Sequence, residues 1–213
     1  MPGTPWRLPA RIETERLVLR RYEATDADEM SRVIFASCAH LSPFMPWARA
    51  EPLSPHDRAA LLATFMNDFD AAKDFTIGIF ERNGGAYVGG TGFHTRLGEG
   101  ILEIGFWIAV DHEGRGYITE AVLAQTRVAL GFAGAERVEI HHVPGNTRSR
   151  AVAQRCGYSF EGRAQTFMPG VPELEPTDMW AATAVHLAKE PLASFPAPRL
   201  VDADGSELPW PTS

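Results

Sequence analysis

The sequence is short of cysteine, of long apolar runs and of positive charge. Its two cysteines, Cys38 and Cys156, form neither a CxxC pair nor a zinc-binding spacing, so we expect no metal site and a reducing compartment such as the cytoplasm. No apolar run could cross a bilayer, and residues 1–11 lack the apolar core of a signal peptide. The net charge of -7 argues against nucleic acid as the main partner. These shortages predict a cytoplasmic protein with no metal, no nucleic-acid partner and no membrane partner.

What remains is an ordinary globular composition, with 45% hydrophobic and 22% charged residues in a chain of 213. A chain of this length is expected to form one domain with a sizeable core. We assign residues 12–189 to that domain and residues 1–11, with three prolines, to a loose lead-in. Residues 190–213 hold five prolines and no periodicity. This tail is expected either to be disordered or to lie along the domain or a partner subunit, as in a homodimer.

Alternating and apolar runs predict a mixed α+β class with seven strands. Asn83-Gly84-Gly85 reads as a hairpin turn, and Gly98-Glu99-Gly100 as the turn into the central strand. Three glycines inside one strand, Gly89, Gly90 and Gly92, suggest a bulge or a close backbone neighbour. The strands are predicted at residues 16–22, 75–81, 86–94, 102–110, 137–143, 158–167 and 179–187.

Capping signals predict four helices. Thr25 with Asp28 reads as a capping box, and Ser54-Pro55 has the favoured order for the start of a second helix. A long helix is predicted over 117–132, and Asn146 caps a short helix that Gly157 ends. Residues 40–52 contain three prolines and read as a loop, whose Phe44, Met45 and Trp47 form either a packed lid or a pocket wall.

The stretch 102–133 reads as an apolar strand, a glycine-bearing loop and a helix. Glycines let the backbone approach a ligand, and a helix start presents unpaired N–H groups at its positive end. The loop therefore favours a pyrophosphate, although an ordinary tight turn is the alternative. It is not a dinucleotide fingerprint, since the third glycine is missing, and it is not a P-loop, since no Lys-Ser/Thr follows.

Taken together, the element order and several motifs resemble the GNAT superfamily of acyl-CoA-dependent N-acetyltransferases. Within it, the chain is similar to the branch that acetylates the N-terminal amine of ribosomal proteins, the Rim type. The resemblance covers about residues 11–189 and implies a twisted, mostly antiparallel seven-strand sheet, flanked by about four helices and splayed at its central strands to hold CoA. The matching motifs are residues 14–20, 45–47, 104–108, 114–121, 146–149 and 156–158.

The resemblance also implies where acetyl-CoA, the cosubstrate, would lie. Backbone groups of the central strand would pair with the pantetheine arm, and Gly105 would leave space for the thioester. Asn146 would meet a pantetheine amide, and Ser149 would hydrogen-bond the CoA sulfur, although a first-turn serine in contact with water is as plausible. The cofactor-binding residues so predicted are Phe106, Trp107, Ile108, Gly114, Arg115, Gly116, Tyr117, Ile118, Thr119, Asn146 and Ser149.

Two positions depart from the superfamily pattern. Asp111 opens the loop where many members have Gln or Arg, as is common in the Rim branch. Ala153 stands where many members have a tyrosine that protonates the leaving thiolate, so that role cannot be transferred to this chain. Arg150 is a candidate for the CoA phosphates or an exposed helix arginine, and Cys156 is predicted to be a packed thiol.

The catalytic and acceptor-binding candidates each have a plainer alternative. Glu103 lies in an apolar strand, where it would serve as general base or form a structural ion pair. His141 would contact the substrate or be an ordinary core or surface histidine, and only one of His141 and His142 should face the cleft. Trp47, with Trp107, would wall the acceptor pocket or belong to the core.

The predicted activity is direct transfer of an acetyl group from acetyl-CoA to a primary amine, with Glu103 and Ser149 as catalytic candidates. The acceptor is expected to be a protein N-terminal α-amine. A small amine such as a polyamine, an amino acid or an antibiotic is the alternative within enzymes. A shallow groove would suit a peptide, and a closed pocket ringed by Phe44, Met45 and Trp47 would suit a small molecule. A non-catalytic acyl-CoA-binding sensor is the alternative from another class.

Overall fold

The protein is built on one nine-stranded sheet, seen here in a computed structural model that describes residues 6–166 and 173–211. The strand order is β7-β8-β6-β5-β4-β3-β2-β1-β9, and among the described strands only β5 and β6 pair in parallel. The strands are β1 (Arg11–Glu13), β2 (Leu17–Arg21), β3 (Phe75–Glu81), β4 (Tyr87–His94), β5 (Ile101–Ile108), β6 (Arg137–His142), β7 (Ser159–Thr166), β8 (Glu175–Thr183) and β9 (Arg199–Val201).

In the described ranges, four α-helices pack on the sheet, as predicted: α1 (Ala27–Leu41), α2 (Pro55–Asp70), α3 (Tyr117–Arg127) and α4 (Thr147–Arg155). A π-helical turn, Val128–Phe132, extends α3. Ser54 Oγ accepts from the backbone N–H of Asp57 at 3.1 Å, as its N-cap assignment requires. No helix in the described ranges is long and apolar enough to span a bilayer.

The alternation of β2 divides the apolar side chains between two cores. Leu17 and Leu19 face one side of the sheet, in the core that includes α3, and Val18 faces the other side, in the core that includes α1 and α2. Helices therefore cover both faces of the sheet. Side chains of β5, near the middle of the sheet, pack into both cores.

Several details of the secondary structure correct the sequence predictions. The sheet has nine strands and not seven, because β1 and β9 are each three residues long and show no readable alternation. The last predicted strand is shifted: β8 ends at Thr183, and residues 184–188 form a short 3-10 helix. Within the predicted loop 40–52, α1 continues to Leu41 and Pro46–Ala50 is a 3-10 helix. The capping box pairs Glu23 with Asp26, two residues before the predicted Thr25 and Asp28.

The C-terminal tail lies along the domain. Its strand β9 pairs antiparallel with β1, with Leu200 opposite Ile12. Leu192, Leu200 and Leu208 are buried. The Trp210 indole packs edge to face on Phe132 at the end of α3. The tail is thus part of the hydrophobic core in the ranges that the structure describes.

The central strands splay apart. β5 pairs with β6 only over Ile101–Glu103, and beyond Glu103 the β6-facing edge of β5 has no strand partner in the described chain. The opposite edge stays paired with β4 as far as Ile108. The sheet therefore opens at its middle, as expected of a fold that admits a ligand between two strands.

Candidate active site

The loop between β5 and α3 leaves an open helix start. Gly114 and Gly116 have φ of 72° and 77°, a left-handed conformation that favours glycine. A Cβ on Gly114 would meet nothing within 4 Å, so the loop borders open space. No side chain in the described ranges caps the first turn of α3. Its N–H groups and the positive end of its dipole are thus available to an anion.

The side chains next to this opening are held in place by ion pairs and stacking. Arg115 turns back from it, donating from Nη2 to the Asp111 carbonyl at 2.9 Å. The Arg16 guanidinium lies 5.0 Å from the Tyr117 ring centroid. The Tyr117 hydroxyl donates to Glu81 Oε1 at 2.8 Å. Ile118 is buried and lines the same opening with Thr119.

A cleft of about 1530 Å³ extends from this loop along α4 and the tail. Arg148 and Arg155 line it, and their spacing of seven residues puts them on one face of α4. Residues 195–199 of the tail form part of another wall. Arg150, the arginine noticed in the sequence, is exposed and does not line the cleft. Sequence reasoning missed Arg148 and Arg155, although their seven-residue spacing was a signal that could have pointed to them.

A second cavity, of about 560 Å³, lies where β5 and β6 diverge. Trp47 and Trp107 meet edge to face in its wall, with ring centroids 5.8 Å apart. Phe44 and Met45 line it as well, so the segment 42–50 forms a pocket wall, one of its two predicted roles. The glycine-rich strand has the close neighbour that was predicted, because a Cβ on Gly90 would lie 2.5 Å from Trp107 Nε1.

Glu103 borders this cavity as half of an ion pair. Its two carboxylate oxygens accept from Arg96, Oε1 from Nη2 at 2.6 Å and Oε2 from Nε at 2.8 Å. The residue is only 6% exposed. The structural alternative predicted for Glu103 is therefore present, and both of its oxygens are already engaged.

Both histidines of β6 line the cavity, which corrects the prediction that only one would face it. The reason is that His142 is the last residue of the strand, where the sheet has already opened. His141 Nε2 lies 2.5 Å from Glu139 Oε2. His142 donates from Nδ1 to the Val143 carbonyl at 2.9 Å and accepts at Nε2 from the Trp180 indole at 3.0 Å. Burial lowers the pKa of His142, so it is held neutral.

The start of α4 faces the same cavity. Asn146 Oδ1 accepts from the backbone N–H of Ser149 at 3.1 Å, so Asn146 is the helix cap that the sequence predicted. Asn146 and Ser149 both line the cavity. Ala153 is fully buried one turn later, which leaves no hydroxyl at the position of the missing tyrosine. Burial raises the pKa of the Cys156 thiol to about 12, as suits a packed, unreactive cysteine.

Sequence reasoning missed a carboxylate–histidine pair on the cavity wall. Asp74 precedes β3 and His94 ends β4, and His94 Nδ1 lies 2.9 and 3.0 Å from the two Asp74 oxygens. Phe75 pairs with Phe93, so the hairpin register places Asp74 opposite His94. The predicted turn at residues 83–85 already implied that register, and this was the signal available. No cluster of three metal-ligating side chains occurs in the described ranges.

The comparison with protein families decides the assignment. The model of the acetyltransferase (GNAT) domain matches residues 16–159, which is more than half of the chain. The chain belongs to the GNAT acetyltransferase family. The resemblance read from the motifs is thereby confirmed, and the GNAT assignment makes the protein an N-acetyltransferase by family.

Named relatives of this GNAT chain include proteins of the Rim branch. The YdaF protein of Bacillus subtilis (strain 168), provisionally named a ribosomal N-acetyltransferase, is 26% identical over 152 residues, covering 71% of this chain and 82% of that protein. The ribosomal protein uS5 alanine N-acetyltransferase of Escherichia coli (strain K12) is 24% identical over 160 residues, covering 74% and 82%.

A solved structure confirms the GNAT fold. The microcin C7 self-immunity acetyltransferase MccE, determined in complex with acetyl-CoA and AMP, superposes with a TM-score of 0.71 at 20% identity. The match covers 80% of this chain and 93% of that one. The mixed α+β sheet with four helices is therefore the shared GNAT architecture.

Proposed function

We propose that this GNAT protein transfers the acetyl group of acetyl-CoA to a primary amine that carries an apolar, aromatic-sized group. One observation carries the proposal: β5 and α4 each line both cavities. Ile108 faces the cleft at the helix start, and Gly105 and Trp107 face the aromatic pocket. Acetyl-CoA lying along β5 would thus have its pyrophosphate at the start of α3 and its thioester at the acceptor pocket.

The cleft suits acetyl-CoA. The first turn of α3, over residues 114–119, would bind the pyrophosphate through backbone N–H groups. The free edge of β5, from Phe106 to Ile108, would pair with the pantetheine arm as an added strand does. Asn146 and Ser149 would meet the pantetheine amide and the sulfur. The structure of MccE, which was determined in complex with acetyl-CoA and AMP, supports the same cosubstrate.

The chemistry would be direct attack. A neutral amine attacks the carbonyl carbon, the new N–C bond forms, and the C–S bond breaks to release CoA. Backbone N–H groups near Trp107 would stabilise the negative oxygen that develops. A cysteine nucleophile does not fit, since burial raises the pKa of both Cys38 and Cys156.

The acceptor pocket favours a small amine. A volume of about 560 Å³ lies in the usual range for small-molecule sites. Aromatic side chains ring it, and an N-terminal alanine alone would leave most of that space unfilled. Its charged groups are mainly paired, Glu103 with Arg96 and Glu51 with Arg58. Asp74 adds one further negative charge beside the pocket, which suits an incoming ammonium group.

A protein N-terminal α-amine is the second candidate acceptor. It is favoured by the names of the two relatives, both of which refer to ribosomal N-acetyltransferases. A first residue with a large apolar side chain would use the pocket better than alanine. This candidate shares the cytoplasmic location predicted from the sequence.

A thiol-release assay with acetyl-CoA distinguishes these acceptors. The panel would hold phenethylamine, spermidine, and peptides that begin with alanine or phenylalanine. We expect the highest kcat/KM for phenethylamine. Trp47→Ala should raise its KM about tenfold with kcat changed little, because the ring contributes contact area to the bound amine. Trp6→Ala is the control, since Trp6 lines neither cavity.

Other outcomes would change the assignment. A higher kcat/KM for a peptide than for every small amine would establish the second candidate. Acetyl-CoA binding measured by calorimetry, with no turnover of any amine, would favour a sensor and contradict the transferase.

A further inference from the structure

We propose that His94, oriented by Asp74, is the general base that takes the proton from the attacking amine. The inference rests on the proposed acetyl transfer and adds the residue that carries the proton. It concerns a pair that lies 20 positions apart in the chain and that the hairpin β3–β4 brings together.

The pair has the geometry of an oriented base. His94 Nδ1 lies within 3.0 Å of both oxygens of Asp74. A carboxylate accepts but does not donate, so Nδ1 carries the proton and Nε2 keeps its lone pair. Thr76 Oγ1 donates to Asp74 Oδ2 at 3.1 Å and fixes the carboxylate from its own strand. Burial alone would raise the pKa of Asp74, but hydrogen bonding and charge from His94 outweigh it and hold that pKa below the usual value.

Two glycines direct Nε2 toward the predicted thioester position. Gly92 and Gly105 are paired across β4 and β5, on the same face as His94 and Glu103. A Cβ on Gly105 would lie 3.0 Å from His94 Nε2, and a Cβ on Gly92 would lie 3.1 Å from it. The imidazole thus occupies the room that two side chains would have taken. Its free nitrogen lies over Gly105, where the thioester is expected.

The other titratable groups of the pocket are less well suited. Both oxygens of Glu103 accept from Arg96. Both ring nitrogens of His142 are hydrogen-bonded. His141 is tied to Glu139 on β6, across the opening from Gly105. In the described ranges, His94 Nε2 has no hydrogen-bond partner of its own.

Asp74 is the charged group that contacts the His94 ring directly. Asp74 faces it from the segment before β3. Glu103 lies opposite His94 on β5, and its ion-pair partner Arg96 follows the end of β4 by two residues. The Glu139–His141 pair lies across the opening. Since the Arg96 and Glu103 charges offset each other, Asp74 supplies the net negative charge that stabilises an imidazolium.

The proposed step balances. His94 Nε2 first takes a proton from the bound ammonium group; the neutral amine nitrogen then bonds to the carbonyl carbon and releases a second proton to solvent. The C–S bond breaks, and the sulfur leaves as thiolate and takes up a proton from solvent. His94 then returns its proton to solvent, so the products are the N-acetyl amine and CoA.

The test is a pH profile of acetyl transfer to phenethylamine, or to whichever amine of the panel is turned over. Without the base, only amine that is already neutral can react. The kcat/KM of His94→Gln should then rise tenfold per pH unit up to the amine pKa, about 8 for an α-amine and higher for alkylamines. The wild type should level off at lower pH. At pH 7 we expect kcat to fall about 100-fold, with the gap closing above the amine pKa.

A second variant tests the positioning role of Asp74. Asp74→Asn keeps a hydrogen-bond acceptor but removes the charge that stabilises the imidazolium. The rising limb of kcat/KM should move to lower pH, and kcat should fall about tenfold. Acetyl-CoA affinity, measured by calorimetry, should be unchanged in both variants. His56→Gln is the matched control, because the His56 side chain is 92% exposed.

The outcomes separate this inference from the proposed function. A His94→Gln rate reduced by one constant factor at every pH would show a structural role and overturn it. So would the pH-dependent loss appearing in Glu103→Gln or His141→Gln in its place. Wild-type protein that binds acetyl-CoA and acetylates no amine would overturn the proposed transferase, and the base with it.

Discussion

Burial of His142 makes the stability of the folded protein depend on pH. Its ring is 3% exposed and stacks on Trp180, and both nitrogens are hydrogen-bonded in the neutral form. Protonation would leave the Trp180 N–H without an acceptor and place a charge in an apolar setting. The folded protein therefore resists protonation at this residue more than the unfolded chain does.

This predicts a pH-dependent stability. Because burial lowers the folded pKa of His142, its contribution is complete above the unfolded value of about 6.5. It is lost as pH falls from there through the lower folded pKa. Between pH 7 and pH 5, the free energy of unfolding measured with urea should change less with pH in His142→Gln than in the wild type. The exposed His56→Gln serves as control, and an equal slope in both variants would contradict the assignment.

At the scale of single residues, local signals were readable and long-range ones were not. Asn146 and Ser54 were predicted as caps because a cap needs only its own neighbours in sequence. The role of Glu103 was left open between a general base and a structural ion pair, since its partner Arg96 depends on how the strands pair. His94 was not identified because a single histidine at the end of a strand belongs to no sequence motif and to no periodic pattern.

At the scale of elements, a buried ion pair holds the pocket wall. Arg58 on α2 is 1% exposed, and its Nη2 donates to both oxygens of Glu51, at 2.7 and 2.6 Å. Its Nε donates to Ser31 on α1 at 3.1 Å. One guanidinium thus joins α1, α2 and the end of the 3-10 helix Pro46–Ala50 that carries Trp47.

Breaking this pair should be costly. Arg58→Met leaves the Glu51 carboxylate buried without its partner, and we expect the free energy of unfolding to fall by about 3 kcal/mol. The double variant Arg58→Met with Glu51→Leu should recover much of that loss. The matched control is Arg32→Met, because the Arg32–Glu29 pair is exposed to solvent and its loss should change the free energy of unfolding far less. Urea unfolding measures all three, and equal losses in the two single variants would contradict the argument.

Elements were predictable where the apolar period was long enough to read. The strand ending in Val110 and the helix from Tyr117 were recognised from patterns of 9 and 16 residues. The observed strand stops at Ile108, and Val110 is exposed in a 3-10 turn. The short strands β1 and β9, of three residues each, gain their stability from pairing, β1 with β2 and β9, and β9 with β1, which sequence alone does not reveal.

At the scale of the whole molecule, the C-terminal tail has two roles, since it stabilises the domain and also forms part of the cleft wall. Leu200 in β9 is 1% exposed, and the adjacent Arg199 lines the large cleft. Leu200→Ala should lower the free energy of unfolding by about 2–5 kcal/mol through the cavity it leaves. We also expect acetyl-CoA affinity to weaken several-fold as β9 loosens. Leu174→Ala is the control, since Leu174 is 60% exposed. Calorimetry and urea unfolding give the two readouts, and a stable variant with unchanged affinity would contradict both expectations.

The short contact between β5 and β6 has a mechanical meaning. Only the three residue pairs between β5 and β6 join the strands β7, β8 and β6 to the other six described strands. Few backbone hydrogen bonds therefore hold the two parts of the sheet together. We expect such a seam to act as a hinge. A pantetheine arm bound along β5 would supply the missing hydrogen bonds, so the ligand would stiffen the molecule across the same line on which it reacts.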